Sequence, residues 1–509
     1  MDSGVDREGN EGVVHESWRL NNIEAAATSM TRIRNVLLLN PFRYDGPQSN
    51  VGVDPVVSRH AGQEIKTGVT FPIGLAYMAA TLLRAGYEVR MLDPIAERIS
   101  IARIHENADW SQAVIMPFSA AHAEDVKKFR SCFPGKLLAL CGGYSKFISA
   151  LLLGENYCDV VLGDEPELMV VELMDSFPML GPVKGIVYRN NGEIVTAPPR
   201  PLIEDLDEIP FPARHLLDPK RYWEISFFGE PTAWILPARG CPYDCIFCAQ
   251  YDRNVKSIRR RSPGNIVDEI QEVVAQQRVT NFVFFDETFN VSDRYVRSVC
   301  DEILRRNVRV HWWCAARADL IREDTVRLMK RAGCIEMRIG LESANDQILA
   351  YLKKDITVAK IREGLETLER EGMNYSLQCI FGSPMETGET IGNTLDFLKE
   401  YRPLFVSFNI LTPLPGSRLF DEIKERLTLN VVKSFDILHT QYPLGRYSAE
   451  ELSRIIKRAY FSYYFSLGYL IRIAREMTKR PRIILQMVRT GMRQVGYICN
   501  SILFHRVKR

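Results

Sequence analysis

Short apolar runs alternate with amphipathic stretches along most of the chain, and this alternation predicts strands and helices in turn. RNVLLLNP is an apolar run ended by Asn-Pro, as expected of a buried parallel strand. The stretch that follows predicts a helix from Ile73 to Arg84, a stop at Gly86 and a strand in EVRMLD. The same pattern continues through QAVIMPFS, KLLALCGG and DVVLGDEPE. It predicts an α/β domain with an open, doubly wound parallel sheet over residues 32–200.

A proline-rich joint interrupts this alternation and separates it from a second one. TAPPRPLIEDLDEIPFPARHLL cannot form regular structure for long, so we predict a linker at residues 201–228. From WILPARG to FVSFNILTP the chain then contains roughly six strand–helix units. They predict a (β/α)6-type partial TIM barrel at residues 229–430, with the functional site at the carboxyl ends of its strands.

The two ends of the chain have patterns of their own. Residues 1–31 show no apolar periodicity and predict a disordered tail. From about Ser448 the pattern is helical only, and we predict a C-terminal helical region over residues 431–509. Its last part, residues 454–509, contains thirteen Lys or Arg residues and one acidic residue, interleaved with aromatic residues.

Composition narrows the class of protein. The chain has 509 residues, of which 46% are apolar and 25% charged, as in an ordinary soluble protein of two or three domains. The formal net charge of +2 gives no bulk attraction to nucleic acid. No secretory signal peptide and no run of 18 apolar residues is found, which predicts a cytoplasmic protein without a membrane-spanning helix. In a reducing compartment, clustered cysteines bind metal or react.

Three of the eleven cysteines do cluster, in RGCPYDCIFCAQ. Cys241, Cys245 and Cys248 are spaced C-x3-C-x2-C in a loop that follows a predicted strand. A structural zinc site needs four ligands, and neither a second cysteine pair nor a nearby histidine follows. A thioredoxin-like C-x2-C leaves Cys241 unexplained. An iron–sulfur cluster fits best, because three thiolates on a four-iron cluster leave one iron open for an external ligand.

The cysteine spacing resembles the signature of the radical S-adenosylmethionine (SAM) enzymes. In that family the open iron of a [4Fe-4S] cluster chelates the amino and carboxylate groups of SAM. One electron from an external donor, of the flavodoxin or ferredoxin type, then yields a 5′-deoxyadenosyl radical that abstracts hydrogen from an unactivated carbon. No side chain can perform this step, so the cofactor supplies the chemistry.

Other motifs resemble family segments that bind SAM. FFDETF is similar to the acidic strand-end motif that receives the SAM amino group, with Glu287 the first candidate and Asp286 the second. RIGLES is similar to the segment that would place Glu342 and Ser343 beside the ribose or the methionine carboxylate. WWCAARAD supplies Arg317 as a candidate partner for a carboxylate. The alternative reading is that strand-end carboxylates only cap helices.

CIFGSPMET resembles the segment usually written Gly-Leu-Pro-Gly-Glu-Thr. The resemblance implies a backbone contact from Gly382 to adenine. Met385 stands where the second glycine is usual, and we therefore expect Glu386 only to cap the next helix.

The first domain resembles the cobalamin-binding, Rossmann-like domain that precedes many radical SAM enzymes. FPIGLAYMAATLLRAGYEV, CGGYSK and VLGDEPE carry this resemblance. Gly142 and Gly143 at a strand end would let the backbone approach the cofactor's nucleotide loop. The D-x-H-x-x-G motif, whose histidine ligates cobalt, is absent, and His122 is interpreted as a solvated helix residue. We therefore expect cobalamin without a histidine ligand from this domain, the alternative being a degenerate Rossmann relic.

The resemblance implies methylation of an unactivated carbon through the radical and methylcobalamin. The alternatives are a cyclase or oxidoreductase of the anaerobic porphyrin-ester cyclase type and a non-catalytic sensor of cobalamin or iron. The basic, aromatic C-terminal region is either a helical cap on the barrel or a peripheral contact with anionic lipid. The second reading favours a lipophilic small molecule, such as an isoprenoid lipid or a tetrapyrrole, as substrate. No recognition motif for nucleic acid accompanies the charge.

Overall fold

The fold is taken from a computed structural model. It describes residues 33–44, 58–60, 63–65, 68–118, 122–142, 144–227, 230–249, 257–426 and 442–479.

The first domain is built on a seven-stranded sheet. Its strands are, in chain order, β1 Asn35–Leu39, β2 Glu88–Leu92, β3 Ala113–Pro117, β4 Leu137–Cys141, β5 Val160–Leu162, β6 Ile186–Asn190 and β7 Glu193–Thr196. They are ordered β7-β6-β5-β4-β3-β1-β2. The five strands from β2 to β5 in this order are parallel, and β6 and β7 are antiparallel. The order 2-1-3-4-5 is doubly wound, with its switch point between β1 and β3, which confirms the predicted sheet.

Helices cover both faces of this sheet. They are α1 Ile73–Arg84, α2 Pro94–Glu97, α3 Ile101–Trp110, α4 Ala123–Cys132, α5 Ser149–Gly154 and α6 Pro166–Ser176. The apolar run of β1 serves both faces, because successive side chains of a strand point to opposite sides. Val36 and Leu38 pack in the core under α1 and α6, whereas Leu37 and Leu39 pack under α3 and α4. Helix α1 has the bounds that its sequence predicts.

The second domain is a six-stranded parallel sheet. Its strands are β8 Thr232–Ile235, β9 Asn281–Phe284, β10 His311–Ala316, β11 Cys334–Glu342, β12 Asn374–Phe381 and β13 Val406–Ile410. They are paired in chain order, each parallel to the next, and β8 and β13 form the two edges. The helices are α7 Pro263–Gln277, α8 Asp293–Arg305, α9 Glu323–Arg331, α10 Asp346–Tyr351, α11 Val358–Arg370 and α12 Gly388–Tyr401. This arrangement confirms a partial (β/α)6 barrel.

The proline-rich joint is packed between the two domains. Tyr222 is buried and meets the ring of Phe71 edge-on, with 5.0 Å between ring centres. From the barrel, Trp234 and Trp313 share one apolar core with these residues. The joint therefore brings the two domains into contact.

Several shorter elements complete the described chain. The antiparallel strand pairs are Ser58–His60 with Gln63–Ile65, Gly68–Val69 with Trp223–Glu224, and Ala238–Arg239 with Arg259–Arg260. The remaining α-helices are α13 Arg418–Asp421, α14 Ala449–Tyr464 and α15 Leu467–Lys479.

Helix α14 covers the outer edge of the barrel sheet. Ser448 caps it, in a capping box with Glu451. The Tyr464 hydroxyl accepts from the N–H of Val406 at 3.0 Å, and the Tyr460 hydroxyl accepts from the N–H of Phe408 at 3.2 Å. These bonds satisfy backbone groups that an uncovered edge strand would leave unpaired. Within the described residues, the helices are all too short or too polar to cross a membrane.

Candidate functional site

The three clustered cysteines lie in a loop closed by a short antiparallel pair. Ala238–Arg239 pairs with Arg259–Arg260, and Cys241 follows one residue after the first strand. Gly240 between them has φ +96°, and a Cβ there would lie 2.5 Å from the carbonyl oxygen of Ser257. Only glycine permits this close approach of the two ends of the loop.

Burial and neighbouring charges raise the pKa of two thiols of this loop, Cys245 and Cys248. Cys241 is buried and Cys245 and Cys248 are half-buried, all as free thiols. Burial, followed by the charges of Cys245, Cys241 and Glu287, raises the pKa of Cys248 to about 12. Burial also raises the pKa of Cys245. Deprotonation of three neighbouring thiols becomes favourable once a cationic centre binds them. Three such thiolates are a donor set for an iron–sulfur cluster.

Backbone contact holds two of these cysteines in one turn. The N–H of Cys248 donates to the carbonyl oxygen of Cys245 at 3.2 Å. Among the described residues, no group of three or more His, Cys, Asp or Glu side chains has the spacing of a completed metal centre. The assignment of Cys241, Cys245 and Cys248 as cluster ligands therefore stays a prediction. It is supported by their shared loop and by the effect of the charges of Cys245 and Cys241 on the pKa of Cys248.

The acidic pair after β9 lies against the cysteine loop. The carboxylate of Glu287 accepts from the N–H of Gly240, and its charge acts on Cys248. Removal of water by the surrounding protein raises the pKa of Glu287. Burial, and then the charge of Glu287, raises the pKa of Asp286 well above its usual range. One carboxylate oxygen of Asp286 is buried and has no hydrogen-bond partner in the described part of the chain. The predicted role of both residues toward the SAM amino group fits this position and stays a prediction.

Glu342 is paired with a lysine that the sequence did not suggest. Lys354 Nζ lies 2.7 Å from Glu342 Oε1, and both side chains are nearly buried. Glu342 has φ +59° where β11 ends in a bulge. A Cβ at Gly340 would lie 2.6 Å from Lys354 Nζ and closer still to Glu342 Oε1. The glycine of RIGLES therefore makes room for this ion pair.

Arg317 connects the cysteine loop to the segment that follows α10. Its guanidinium lies 3.7 Å from the ring centre of Tyr243, which stands between Cys241 and Cys245. It also donates to Asp319 at 3.1 and 3.2 Å and to the carbonyl oxygens of Lys354 and Asp355 at 2.9 and 3.1 Å. The expected carboxylate partner is thus found within the chain, in Asp319, and a contact with a ligand carboxylate stays a prediction.

Two other predicted contacts face helix α12 and its preceding loop. The Ser343 hydroxyl lies 3.4 Å from that of Thr394 in α12. Gly382 has φ +96°, and its N–H donates to Glu386 Oε2 at 2.9 Å. Whether Gly382 and Ser343 touch SAM stays a prediction.

Glu386 does not cap the helix as the sequence predicts. The cap of α12 is Thr387, in a capping box with Thr390. Glu386 is fully buried, and burial raises its pKa to about 7. It is a buried acceptor for the loop after β12, which the local sequence cannot distinguish from a cap.

The loop after β4 of the first domain reaches the barrel. Gly142 there has φ +103°, and Gly143 lies outside the described residues. Phe147 packs on Gly416, where a Cβ would lie 2.9 Å from the ring atom Cζ and closer still to its neighbour. Burial, and then the charge of Cys248, raises the pKa of Tyr144 to about 12. The carboxyl edge of the doubly wound sheet therefore adjoins the cysteine loop.

His122 is buried, so its interpretation as a solvated helix residue is wrong. It is 1% exposed at the start of α4, just beyond the carboxyl end of β3. Neither ring nitrogen has a hydrogen-bond partner among the residues that the structure describes. Burial, followed by the charge of Arg43, lowers the pKa of His122 to about 3 and keeps the ring neutral. The polar AAHAED context suggested exposure, whereas packing at the switch point buries the ring.

The fold and this site together define an enzyme class. Residues 235–398 match the Radical SAM superfamily, and the cysteine loop follows the first strand of the partial barrel. The protein is a radical SAM enzyme, as the cysteine spacing predicts. Enzymes of this superfamily use a [4Fe-4S] cluster and SAM.

Known proteins resemble the chain over most of its length. An uncharacterised methyltransferase of Pyrococcus horikoshii is 28% identical over 438 residues, covering 84% of this chain and 94% of that protein. The anaerobic magnesium-protoporphyrin IX monomethyl ester cyclase of Cereibacter sphaeroides is 26% identical over 386 residues. That match covers 72% of this chain and 63% of the cyclase.

A solved structure has the same fold. It is the cobalamin-dependent SAM radical enzyme OxsB with aqua-cobalamin and SAM bound, with a TM-score of 0.66 and 16% sequence identity. The similarity covers 91% of this chain and 72% of that one. It extends the shared fold beyond the radical SAM segment.

Proposed function

We propose that this radical SAM enzyme is cobalamin-dependent and methylates an unactivated carbon of a small molecule. The observation that carries this proposal is that the loop after β4 packs on Gly416 of the barrel and brings Tyr144 within electrostatic range of Cys248. A cofactor at the carboxyl edge of the first domain would lie beside a radical formed at the barrel. The Pyrococcus horikoshii relative, which is named a methyltransferase, supports this reaction.

The barrel residues fit the cluster and SAM. Cys241, Cys245 and Cys248 would hold the cluster, and Glu287 would accept from the SAM ammonium group. Glu342, held by Lys354, would orient the ribose or the methionine carboxylate. Burial of this pair excludes water from its surroundings and strengthens each polar contact with a ligand.

The first domain fits a corrinoid at its switch point. In doubly wound sheets, ligands bind outside the carboxyl ends of the strands at this point. His122 lies there with two buried ring nitrogens that a bound cofactor's amide groups could satisfy. Gly142 has the positive φ that allows a close backbone approach. OxsB, which has the same fold, binds cobalamin.

When bound, these cofactors supply a 5′-deoxyadenosyl radical and a transferable methyl group. The net reaction replaces a substrate C–H by C–CH₃ and consumes two molecules of SAM. One gives methionine and 5′-deoxyadenosine, the other gives S-adenosylhomocysteine, and a flavodoxin- or ferredoxin-type donor supplies one electron for each of the two. The residues named above bind and orient the reactants.

An anaerobic assay tests the proposal. The reconstituted protein with a reductant should form 5′-deoxyadenosine from SAM, and the Cys241→Ala/Cys245→Ala/Cys248→Ala variant should form none. Metal and corrin analysis of the anaerobically purified protein should find iron, sulfide and cobalamin. Absence of 5′-deoxyadenosine from the wild-type protein with a complete cluster would favour a sensor and contradict the proposal.

Cyclisation of a tetrapyrrole is the second candidate. The similarity to the Cereibacter sphaeroides cyclase favours it. SAM labelled in its methyl group separates the two reactions, because only a methyltransferase transfers the label to a product other than methionine. Label found solely in methionine would favour cyclisation or another radical oxidation.

We also propose that the C-terminal helices contact anionic lipid and that the substrate is lipophilic. An apolar patch is exposed on α14, on α15 and between them, formed by Phe461, Phe465, Leu467, Leu470 and Ile471. The two phenylalanine rings stack with 4.6 Å between centres. The basic composition of residues 454–509 would attract anionic headgroups to this patch.

Vesicle sedimentation tests the lipid contact. The wild-type protein should bind phosphatidylglycerol vesicles and not phosphatidylcholine vesicles at low salt. Leu467→Ser/Leu470→Ser should weaken this binding about tenfold, since the removed apolar area lies on the patch. Met179→Ser, at an equally exposed apolar residue of the first domain, is the matched control. Equal binding by both variants would contradict the proposed surface.

A further inference from the structure

Three ion pairs between two arginines and two glutamates join the first domain to the base of the cysteine loop. Arg259 binds Glu165 with two hydrogen bonds, of 2.6 and 2.9 Å. Arg239 Nη2 lies 2.6 Å from Glu167 Oε1, and Arg239 Nη1 lies 3.5 Å from Glu165 Oε1. All four side chains are at most 15% exposed. Salt screens such pairs less than it screens surface pairs.

The first domain holds these carboxylates in place. Glu165 has φ +50° and accepts from the N–H of Ile203 at 2.7 Å. Glu167 lies in the first turn of α6, where the helix dipole favours a negative charge. Both belong to the VLGDEPE segment, so the turn after β5 faces the barrel.

The two arginines occupy opposing positions at the neck of the cysteine loop. Arg239 and Arg259 are register partners in the antiparallel pair that closes it. Arg239 directly precedes Gly240, whose N–H donates to the carboxylate of Glu287. Both guanidinium charges act on Glu287, where they oppose the rise in its pKa caused by burial. Each arginine thus pairs with a carboxylate of the first domain while it remains within electrostatic range of the predicted SAM-binding carboxylate.

We infer that Glu165 and Glu167 are positioning residues that keep Arg239 and Arg259 away from Glu287, which leaves Glu287 free to bind the SAM ammonium group. This inference rests on the proposed function. An arginine released from its carboxylate has an alternative partner in Glu287, and an Arg–Glu287 pair would compete with SAM. The first domain would then control SAM binding in addition to holding cobalamin.

SAM titration of the full-length reconstituted protein tests this inference. The electron paramagnetic resonance spectrum of the reduced cluster, in samples frozen without substrate, reports SAM binding directly and not through product formation. Glu167→Gln should raise the SAM concentration at half-saturation about tenfold, the equivalent of about 1.4 kcal/mol. Glu167→Asp keeps the charge and should remain within about threefold of wild type. The control is Glu172→Gln, which removes the Arg200 ion pair on the same helix.

A double variant separates the effect of the released arginine on SAM affinity from an effect of misfolding. In Glu167→Gln/Arg239→Gln the competing arginine is absent, so SAM affinity should return to within about threefold of wild type. Removing a carboxylate near the cluster should also shift its reduction potential to a more positive value in Glu167→Gln.

Each outcome decides the inference. Three results would overturn the inference and leave the proposed function standing. They are equal SAM affinities of Glu167→Gln and Glu172→Gln, equal losses of affinity in Glu167→Gln and Glu167→Asp, and no recovery of affinity in the double variant. A wild-type cluster whose spectrum does not respond to SAM would overturn both.

Discussion

Lys354 Nζ lies 2.7 Å from Glu342 Oε1 in a nearly water-free position beside the cysteine loop. Burial alone would lower the pKa of Lys354, but the charges of Glu342 and Cys245 outweigh it and raise that pKa. Lys354 therefore stays charged, and its contact with Glu342 joins the end of β11 to the chain after α10.

Replacement of Lys354 by methionine leaves a buried carboxylate without its partner. Loss of one member of a buried pair costs about 3–5 kcal/mol, so Lys354→Met should lower the free energy of unfolding by this amount. Urea denaturation of the barrel measures it. The control is Lys353→Met, at the exposed neighbouring residue, and Glu342→Gln/Lys354→Met should recover part of the loss. Equal midpoints for Lys354→Met and Lys353→Met would show that the pair does not stabilise the fold.

Replacement of Gly340 by alanine should disturb the Glu342–Lys354 ion pair by a steric clash. The new methyl group would overlap Glu342 Oε1 and Lys354 Nζ, and overpacking of this kind costs about 1–3 kcal/mol. Gly392→Ala, in helix α12, is the control. No atom of the described residues outside the helix's own backbone lies within 4 Å of the Cβ that this substitution adds. There, alanine should stabilise the helix by about 1 kcal/mol. Opposite shifts of the two melting midpoints are expected, and shifts of the same sign would contradict the described contact.

Arg317→Lys should loosen the cysteine loop. Lysine cannot form the paired hydrogen bonds to Asp319 while it donates to two carbonyl oxygens and covers the Tyr243 ring. We expect a loss of about 2–3 kcal/mol in stability and fewer irons bound per chain after reconstitution. Arg322→Lys, at an exposed arginine, should change neither quantity. Normal iron content in Arg317→Lys would show that these contacts are unnecessary for cluster binding.

Glu386 should make the stability of the barrel depend on pH. Its pKa is about 7 in the folded protein and near 4.5 in the unfolded chain, so the folded state binds the proton more tightly. Stability should therefore fall as pH rises from 4.5 to 7, by about 3 kcal/mol in total, and stay constant above. Glu386→Gln should remove this fall, and Glu389→Gln, in the exposed first turn of α12, should keep it. Urea midpoints at pH 5 and pH 8 provide the measurement.

The local pattern of the sequence determined the secondary-structure elements and the kind of chemistry expected at the site. The apolar periodicity of Ile73–Arg84 and the glycine that follows it predict this helix at about its observed bounds. The spacing of Cys241, Cys245 and Cys248 places three thiols in one short loop, whatever the rest of the chain does. Strand-end carboxylates such as Glu287 follow from the geometry of parallel sheets.

Tertiary structure alone decided the partners of these residues. Lys354 meets Glu342, Arg317 meets the carbonyl oxygen of Lys354, and Glu167 meets Arg239 because the packing of strands and domains brings separate segments together. His122 is buried for the same reason, although its sequence neighbours are polar. Periodicity and spacing record which face of an element is covered and which residues share a loop. The charge and the water content around each group depend on what covers it, and that is settled only when the domains pack.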